Sequence, residues 1–171
     1  MREHFHVIWP TFGTYQVWDN RGHWEHIAHK YQQLQSAGIN VHFHYELPDH
    51  YLQKQFPFNQ LILKAQHIVF LKAQIKELCS NEGDRVAGQF DISYLNCQET
   101  YVELVVREEE SVLKKKLARI KSRTATLLSF EFPNEIEGRN TWGKGMWISK
   151  ITGDIPQAIS ILEHSKKQPT E

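Results

Sequence analysis

The chain has 171 residues, of which 40% are hydrophobic and 12% aromatic, and its 20 Lys and Arg residues balance 20 Asp and Glu residues. This length predicts a single domain over residues 1–171 that buries a core without disulfides. The aromatic content and zero net charge exclude a disordered chain, and no apolar run approaches the roughly 20 residues of a membrane span. The first residues, Met-Arg-Glu-His-Phe-His, lack a signal peptide's apolar stretch, and Cys79 and Cys97 are too few for a disulfide scaffold. We therefore expect a cytoplasmic protein with no membrane partner.

The charge is unevenly distributed along the chain. Residues 1–106 carry 8 Lys and Arg against 11 Asp and Glu, whereas residues 107–171 carry 12 against 9. Six basic residues fall within ten positions of the second part: Lys114, Lys115, Lys116, Arg119, Lys121 and Arg123. Such a patch can bind phosphate even on a neutral protein, although the solvated face of a helix has the same composition.

The first half of the chain predicts two strands and two helices. Residues 4–9 are rich in aromatic and β-branched side chains and predict a strand. The polar segment 24–36 suits a helix that Gly38 ends, and a second strand is predicted over 40–46. From Leu61 onward, apolar residues at a spacing of three to five predict a helix that ends near Gly83.

The second half predicts three strands and two helices. Strands are expected over 85–96 and 100–106, and three glutamates at 108–110 suit the positive end of a following helix. That helix places Leu113, Leu117, Ile120 and Leu127 on one face and ends at Pro133. A strand over 146–152 and a helix over 155–167, with Pro156 in its first turn, complete the chain. Strands paired as hairpins between helices predict an α+β fold, with helices packed on an antiparallel sheet.

Three segments carry a resemblance to a known family. The helix segment Lys121-Ser122-Arg123-Thr124, the segment Thr141-Trp142-Gly143-Lys144-Gly145-Met146-Trp147 and the final Ser165-Lys166-Lys167-Gln168 stand in the order that this family shows. The N-terminal Ile8-Trp9-Pro10-Thr11-Phe12-Gly13-Thr14-Tyr15 and the helix around 70–79 agree with it. The chain resembles the single-tyrosine HUH transposases, above all the REP-associated tyrosine transposases of bacteria. The resemblance implies a ferredoxin-like or RRM-like sheet fold, recognition of single-stranded or hairpin DNA, and an association that ranges from monomer to homodimer.

The resemblance also implies a metal site, and this chain departs from it. Members of the family hold a divalent metal through a His-hydrophobic-His pair on a central strand and a Gln on the last helix; the metal polarises the scissile phosphate. The matching strand here reads Tyr101-Val102-Glu103, so both histidines are replaced. Glu103 and Gln168 retain oxygen atoms that suit Mg²⁺ or Mn²⁺, whereas Tyr101 is a poor ligand while protonated. We expect no resident metal or other cofactor, and Mg²⁺ or Mn²⁺ only if cleavage activity persists.

The nucleophile that the resemblance implies is also missing. The family's tyrosine precedes its Gln by about five residues, which places it near Glu163 or His164. None of the six tyrosines lies beyond Tyr101. His164 is a formal alternative because histidine can form phosphoramidates. We therefore expect no catalytic residues, with Tyr101, Glu103, His164 and Gln168 as degenerate family positions.

Other motifs have ordinary interpretations. The pairs His4 with His6 and His42 with His44 each place two imidazoles on one face of a predicted strand, which is compatible with a metal but also with satisfied strand histidines. Trp147 is expected in the core, and Trp142 is either a core residue or a platform for a stacked base.

Three hypotheses follow for the function. The first is a non-catalytic, domesticated transposase-like protein that binds DNA through the basic helix, assisted by Arg139, Lys144 and Lys150. The second is an active HUH-type endonuclease or transposase for single-stranded DNA with altered ligands and nucleophile. The third is a protein-interaction module on the same fold, consistent with a sequence pI of about 7.2.

Overall fold

The protein is described from a computed structural model. The structure describes residues 1–14, 24–43, 60–80, 91–138, 141–143 and 145–165, and the following statements concern these residues. The strands are β1 (Glu3–Pro10), β2 (Asn40–Phe43), β3 (Asp91–Cys97), β4 (Tyr101–Glu108) and β5 (Trp147–Thr152). The helices are α1 (Glu25–Ser36), α2 (Ala65–Ser80), α3 (Glu110–Glu131) and α4 (Ile155–Ser165).

The five strands form one antiparallel sheet in the order β2-β5-β1-β4-β3. The central strand β1 pairs with β4 on one side and with β5 on the other. The only hairpin among the described strands joins β3 to β4, with a register irregularity between Ile92 and Tyr94. The α+β fold with helices on an antiparallel sheet, predicted from the sequence, is confirmed.

Helices cover the sheet on both faces because its strands alternate apolar side chains toward two cores. Phe5, Val7 and Trp9 of β1 pack with the buried faces of α2 and α3. Ile8 of the same strand packs in the second core, which includes Ile27 and Leu34 of α1 and Leu162 of α4. The side chains of β4 also alternate between the two cores, and Val105 and Tyr101 belong to the core on the side of α1 and α4.

Local signals explain where the helices begin and end. Gly38, at φ 82°, closes α1 because it adopts the left-handed conformation that glycine favours. Asp154 caps α4 by accepting a hydrogen bond from the backbone N–H of Gln157 at 3.1 Å, and Pro156 lies in the first turn as predicted. The face predicted for α3 needs one correction: Leu128 and Thr124 are buried, whereas Leu127 lies only partly buried at the margin.

None of the described helices is both long enough and apolar enough to cross a membrane.

Candidate functional site

A buried polar cluster lies at the centre of the sheet, on the face covered by α1 and α4. Glu103 is in the middle of β4, directly opposite Asn96 of β3. His6 reaches it from β1, two residues before Ile8, which pairs with Glu103. Three neighbouring strands therefore bring a carboxylate, an amide and an imidazole together.

The Glu103 carboxylate accepts hydrogen bonds from four side chains. His6 Nε2 donates to Oε2 at 2.7 Å, and the Lys30 ammonium from α1 lies 3.0 Å from Oε1 and 3.2 Å from Oε2. The Asn96 amide nitrogen and the Tyr94 hydroxyl donate to Oε1 at 3.2 and 3.3 Å. Glu103 and His6 are 0% exposed and Lys30 is 2% exposed, so the cluster is closed to solvent.

This environment keeps the carboxylate ionised. Burial alone would raise the pKa of Glu103, because a low-dielectric interior disfavours charge. The hydrogen bond from His6, the electrostatic effects of His6 and Lys30, and the hydrogen bond from the Asn96 amide together outweigh burial and lower this pKa from 4.5 to about 2. The centre therefore contains a charged pair inside the protein at neutral pH.

The cluster continues from His6 to Tyr31 of α1. The Tyr31 hydroxyl lies 2.6 Å from His6 Nδ1, donates to Ser149 Oγ at 3.0 Å and accepts from Trp147 Nε1 at 2.7 Å. Burial raises the pKa of Tyr31, so its hydroxyl stays protonated. These bonds connect α1 to β1 and β5 and leave the polar atoms of the cluster satisfied.

The residues present do not fit the divalent metal that the family resemblance implies. The oxygens of Glu103 are engaged by Lys30 and three other donors. Tyr101 lies with its ring edge against Trp24, and burial, followed by the charge of Glu103, raises its pKa, so it remains protonated. Gln168 lies outside the described residues. Across the described parts of the chain, no three His, Cys, Asp or Glu side chains form a group suited to a metal ion.

The two positions at which the missing tyrosine is expected lie on different sides of α4. His164 lines an open groove of about 650 Å³ between α1 and α4, together with His29. Its Nδ1 lies 2.6 Å from the Ser160 carbonyl in its own helix. Glu163 lines another groove, of about 420 Å³, with Tyr94 and Lys76. Neither side chain is among those that contact the Glu103 carboxylate.

The basic residues of α3 lie on the other face of the sheet, where α3 packs beside α2. Lys114, Lys115, Arg119 and Arg123 are exposed. Helical spacing places Lys115 and Arg119 one turn apart on the line opposite the buried Leu117 and Ile120. Arg139 and Lys144 lie outside the described residues.

Three other predicted phosphate contacts are engaged within the protein. The Lys121 ammonium donates to the carbonyls of Gly143 and Gly145 at 3.0 and 2.9 Å, and burial lowers its pKa to about 8. Lys116 pairs with Glu108 at 2.5 Å, and Lys150 pairs with Glu3 at 2.8 Å. Of the six basic residues in the cluster, four are exposed, and Lys115 and Arg119 are the two that lie opposite the buried face of α3.

The basic residues of α3 and the family positions Tyr101, Glu103 and His164 therefore lie on opposite faces of the sheet. The described residues of α1 and α4 include one Lys, the buried Lys30, and no Arg. The exposed charged side chains of these two helices are the acidic Glu25 and Glu163. Among the described helices, exposed positive charge thus lies on α2 and α3.

Trp142, Trp147 and the two cysteines are core residues. Trp142 and Trp147 are each 8% exposed, which removes Trp142 as a stacking platform. Trp142 Nε1 donates to the Lys121 carbonyl at 3.0 Å and joins the segment 141–143 to α3. Cys79 and Cys97 are buried and are not joined in a disulfide.

The sequence prediction missed Lys30 and treated His6 only as one of a histidine pair. A signal for Lys30 exists, because Ile27, Lys30, Tyr31 and Leu34 follow the i, i+3, i+4, i+7 spacing of a buried helix face. A lysine at such a position requires a buried acid. The identity of that acid depends on strand pairing, which the sequence does not reveal.

Comparisons with known proteins give one solved structure to report. No protein-family model matches the chain, and no curated protein matches it. The structure is described as "a putative transposase" from Deinococcus radiodurans and is 14% identical in sequence, with a TM-score of 0.45. The match covers 100% of this chain and 94% of that one.

Proposed function

We propose that the protein binds single-stranded or hairpin DNA through the exposed basic face of α3 and does not cleave it. The observation that carries this proposal is the segregation of exposed positive charge to the α2 and α3 face, centred on Lys115 and Arg119. Lysine and arginine on one helix face bind phosphate groups by releasing counterions. Such contacts give affinity, while hairpin shape supplies selectivity.

Two features support the non-catalytic part of the proposal. The Glu103 carboxylate, at a position that the resemblance assigns to a metal ligand, is 0% exposed and bound by Lys30 and His6. The exposed basic residues are on the opposite face of the sheet, so DNA bound to α3 does not approach Glu103.

The test is fluorescence anisotropy with labelled single-stranded, hairpin and duplex DNA at several salt concentrations. We expect the double substitution Lys115→Ala and Arg119→Ala to weaken binding roughly tenfold at low salt, and to reduce the slope of log K against log salt by roughly 1–2. The control is Lys72→Ala with Lys76→Ala on α2, which removes the same charge beside α3. Equal losses in the two variants would show that net charge, and not the α3 face, governs binding.

A denaturing gel of the same mixtures with Mn²⁺ tests the absence of cleavage. We expect no covalent protein–DNA band. A covalent band would replace this proposal with the active HUH-type endonuclease. Failure to bind any of the three DNA forms would favour the protein-interaction module instead.

A further inference from the structure

Phe130, near the end of α3, exposes its ring to solvent. It is 85% exposed, whereas the other described Phe, Tyr and Trp rings are buried or partly buried. A single exposed apolar side chain is ordinary on a protein surface, so the exposure alone assigns no role to Phe130. Its position along the helix is the observation that does.

The ring of Phe130 continues the line of exposed basic residues on α3. Lys115, Arg119 and Arg123 follow one another at intervals of four residues, and Phe130 comes seven residues after Arg123. Intervals of four and seven residues return to the same side of a helix, so the ring lies on the basic side and away from the buried Leu117. At a rise of about 1.5 Å per residue, Phe130 is roughly 16 Å beyond Arg119 along the helix axis.

The electrostatic character of α3 changes along this line. The basic residues occupy its first and middle turns, whereas Phe130 is followed by the exposed Glu131 at the C-terminal end, where the helix macrodipole is negative. A phosphate group is therefore attracted to the basic turns and repelled near Phe130. An uncharged flat group of the same ligand suits the ring, and a nucleobase is such a group.

We infer that Phe130 stacks on an unpaired base of a DNA strand whose phosphates lie along Lys115 and Arg119. The inference rests on the proposed binding of DNA through α3 and adds the contact that favours single-stranded DNA. Inside a duplex, neighbouring base pairs cover both faces of a base, whereas a base in a single strand or a hairpin loop presents a face to the ring. Every base has such a face, so this contact selects unpaired DNA without selecting its sequence.

The test uses fluorescence anisotropy with a labelled single strand and with an abasic strand of the same length, which keeps the phosphates and lacks the bases. We expect Phe130→Ala to bind the normal strand roughly fivefold to tenfold more weakly than the wild type does. The two proteins should bind the abasic strand equally. The slope of log K against log salt should not change, because Phe130→Ala removes no charge, whereas Lys115→Ala with Arg119→Ala reduces this slope.

Three further variants separate stacking from other effects of the substitution. Phe130→Leu keeps an apolar side chain without a ring and should bind as weakly as Phe130→Ala. Phe130→Trp keeps a ring and should bind the normal strand at least as tightly as the wild type. Val69→Ala, at a 70% exposed apolar position on α2, should leave the affinity unchanged.

The outcomes distinguish this inference from the DNA-binding proposal. If the wild type binds neither strand, both fail. If Lys115→Ala with Arg119→Ala weakens binding and Phe130→Ala does not, the stacking inference alone is wrong. Equal losses on the normal and abasic strands, or an equal loss in Val69→Ala, would also overturn it. If Phe130→Ala leaves the affinity for DNA unchanged and converts a dimer to a monomer in sedimentation, the ring belongs to a contact between two copies of the chain instead.

Discussion

The Glu103 carboxylate carries its negative charge inside the protein, 3.0 Å from the Lys30 ammonium. A buried ion pair adds little stability relative to apolar side chains, but the loss of one partner leaves the other charge unpaired. We expect Glu103→Gln, which keeps the shape of the side chain, to lower the free energy of unfolding by roughly 3–5 kcal/mol at pH 7. Urea denaturation, monitored by circular dichroism, measures this free energy of unfolding. Glu163→Gln, an exposed position on α4, should change it by less than about 0.5 kcal/mol.

Glu103→Gln also tests how the free energy of unfolding depends on pH, and the direction of this dependence follows from the pKa of Glu103. The pKa of Glu103 is lowered from 4.5 in the unfolded chain to about 2 in the folded protein. Its stabilisation is therefore present in full above pH 4.5 and is lost as the pH falls toward 2. The difference between wild type and Glu103→Gln should be about 2 kcal/mol smaller at pH 3 than at pH 7. A difference that stays constant with pH would show that Glu103 is not ionised in the folded protein.

Individual residues differ in how far the sequence predicts them. Cys79 follows the apolar spacing of α2, and this local pattern is enough to explain its place in the core. The environment of His6 was not predictable, because its partners Glu103 and Tyr31 lie 97 and 25 residues away along the chain. The role of a buried polar residue depends on such distant partners, whereas an apolar residue needs only to be buried in the core.

One lysine of the helix α3, Lys121, joins this helix to the chain at Gly143 and Gly145. Lys121 donates to the carbonyls of Gly143 and Gly145, and Trp142 donates back to the Lys121 carbonyl. These bonds satisfy the backbone carbonyls of Gly143 and Gly145. The cost is a partly desolvated ammonium, since burial lowers the pKa of Lys121 from 10.5 to about 8.

We expect this cost to disappear in alkaline solution. Between pH 8 and 10.5 the unfolded chain binds a proton at Lys121 that the folded protein does not, so stability rises with pH. Relative to Lys121→Met, the wild type should gain roughly 2–3 kcal/mol from pH 7.5 to 10.5 in urea denaturation. Lys115→Met, the same substitution at an exposed site on the same helix, should show no such gain. If the free energies of unfolding of the wild type and Lys121→Met changed in parallel with pH, this prediction would be wrong.

Helix boundaries depend on signals that are local in the sequence. The capping Asp154 and the left-handed Gly38 act within one turn of the helices that they bound. Of the strand predicted over 85–96, the structure shows Asp91–Cys97, and residues 85–90 lie outside the described residues. The predicted start of α2 was early, since the helix begins at Ala65.

The arrangement of the whole molecule was the part that the sequence did not reveal. The order β2-β5-β1-β4-β3 places the first strand at the centre, between strands from the second half of the chain. Such pairing depends on contacts distant in sequence, and local patterns carry no record of it. The separation of the basic face of α3 from Glu103 follows from this order, so the sequence could suggest both features without showing that they lie apart.

Because β1 contributes to both cores, the two helical layers should unfold together. Leu162 of α4 is fully buried on one face and Leu117 of α3 is fully buried on the other. Truncation of either residue to Ala removes buried apolar contacts and should lower the free energy of unfolding by roughly 2–5 kcal/mol. Hydrogen exchange measured by mass spectrometry then reports each layer separately. We expect Leu162→Ala to reduce the protection of the slowest amides of α3 as much as those of α4, and Leu117→Ala to act equally in the reverse direction. If Leu162→Ala weakened protection in α4 alone, the α1 and α4 layer would open while the sheet and the basic helix stayed folded, and the two faces would be separate cooperative units.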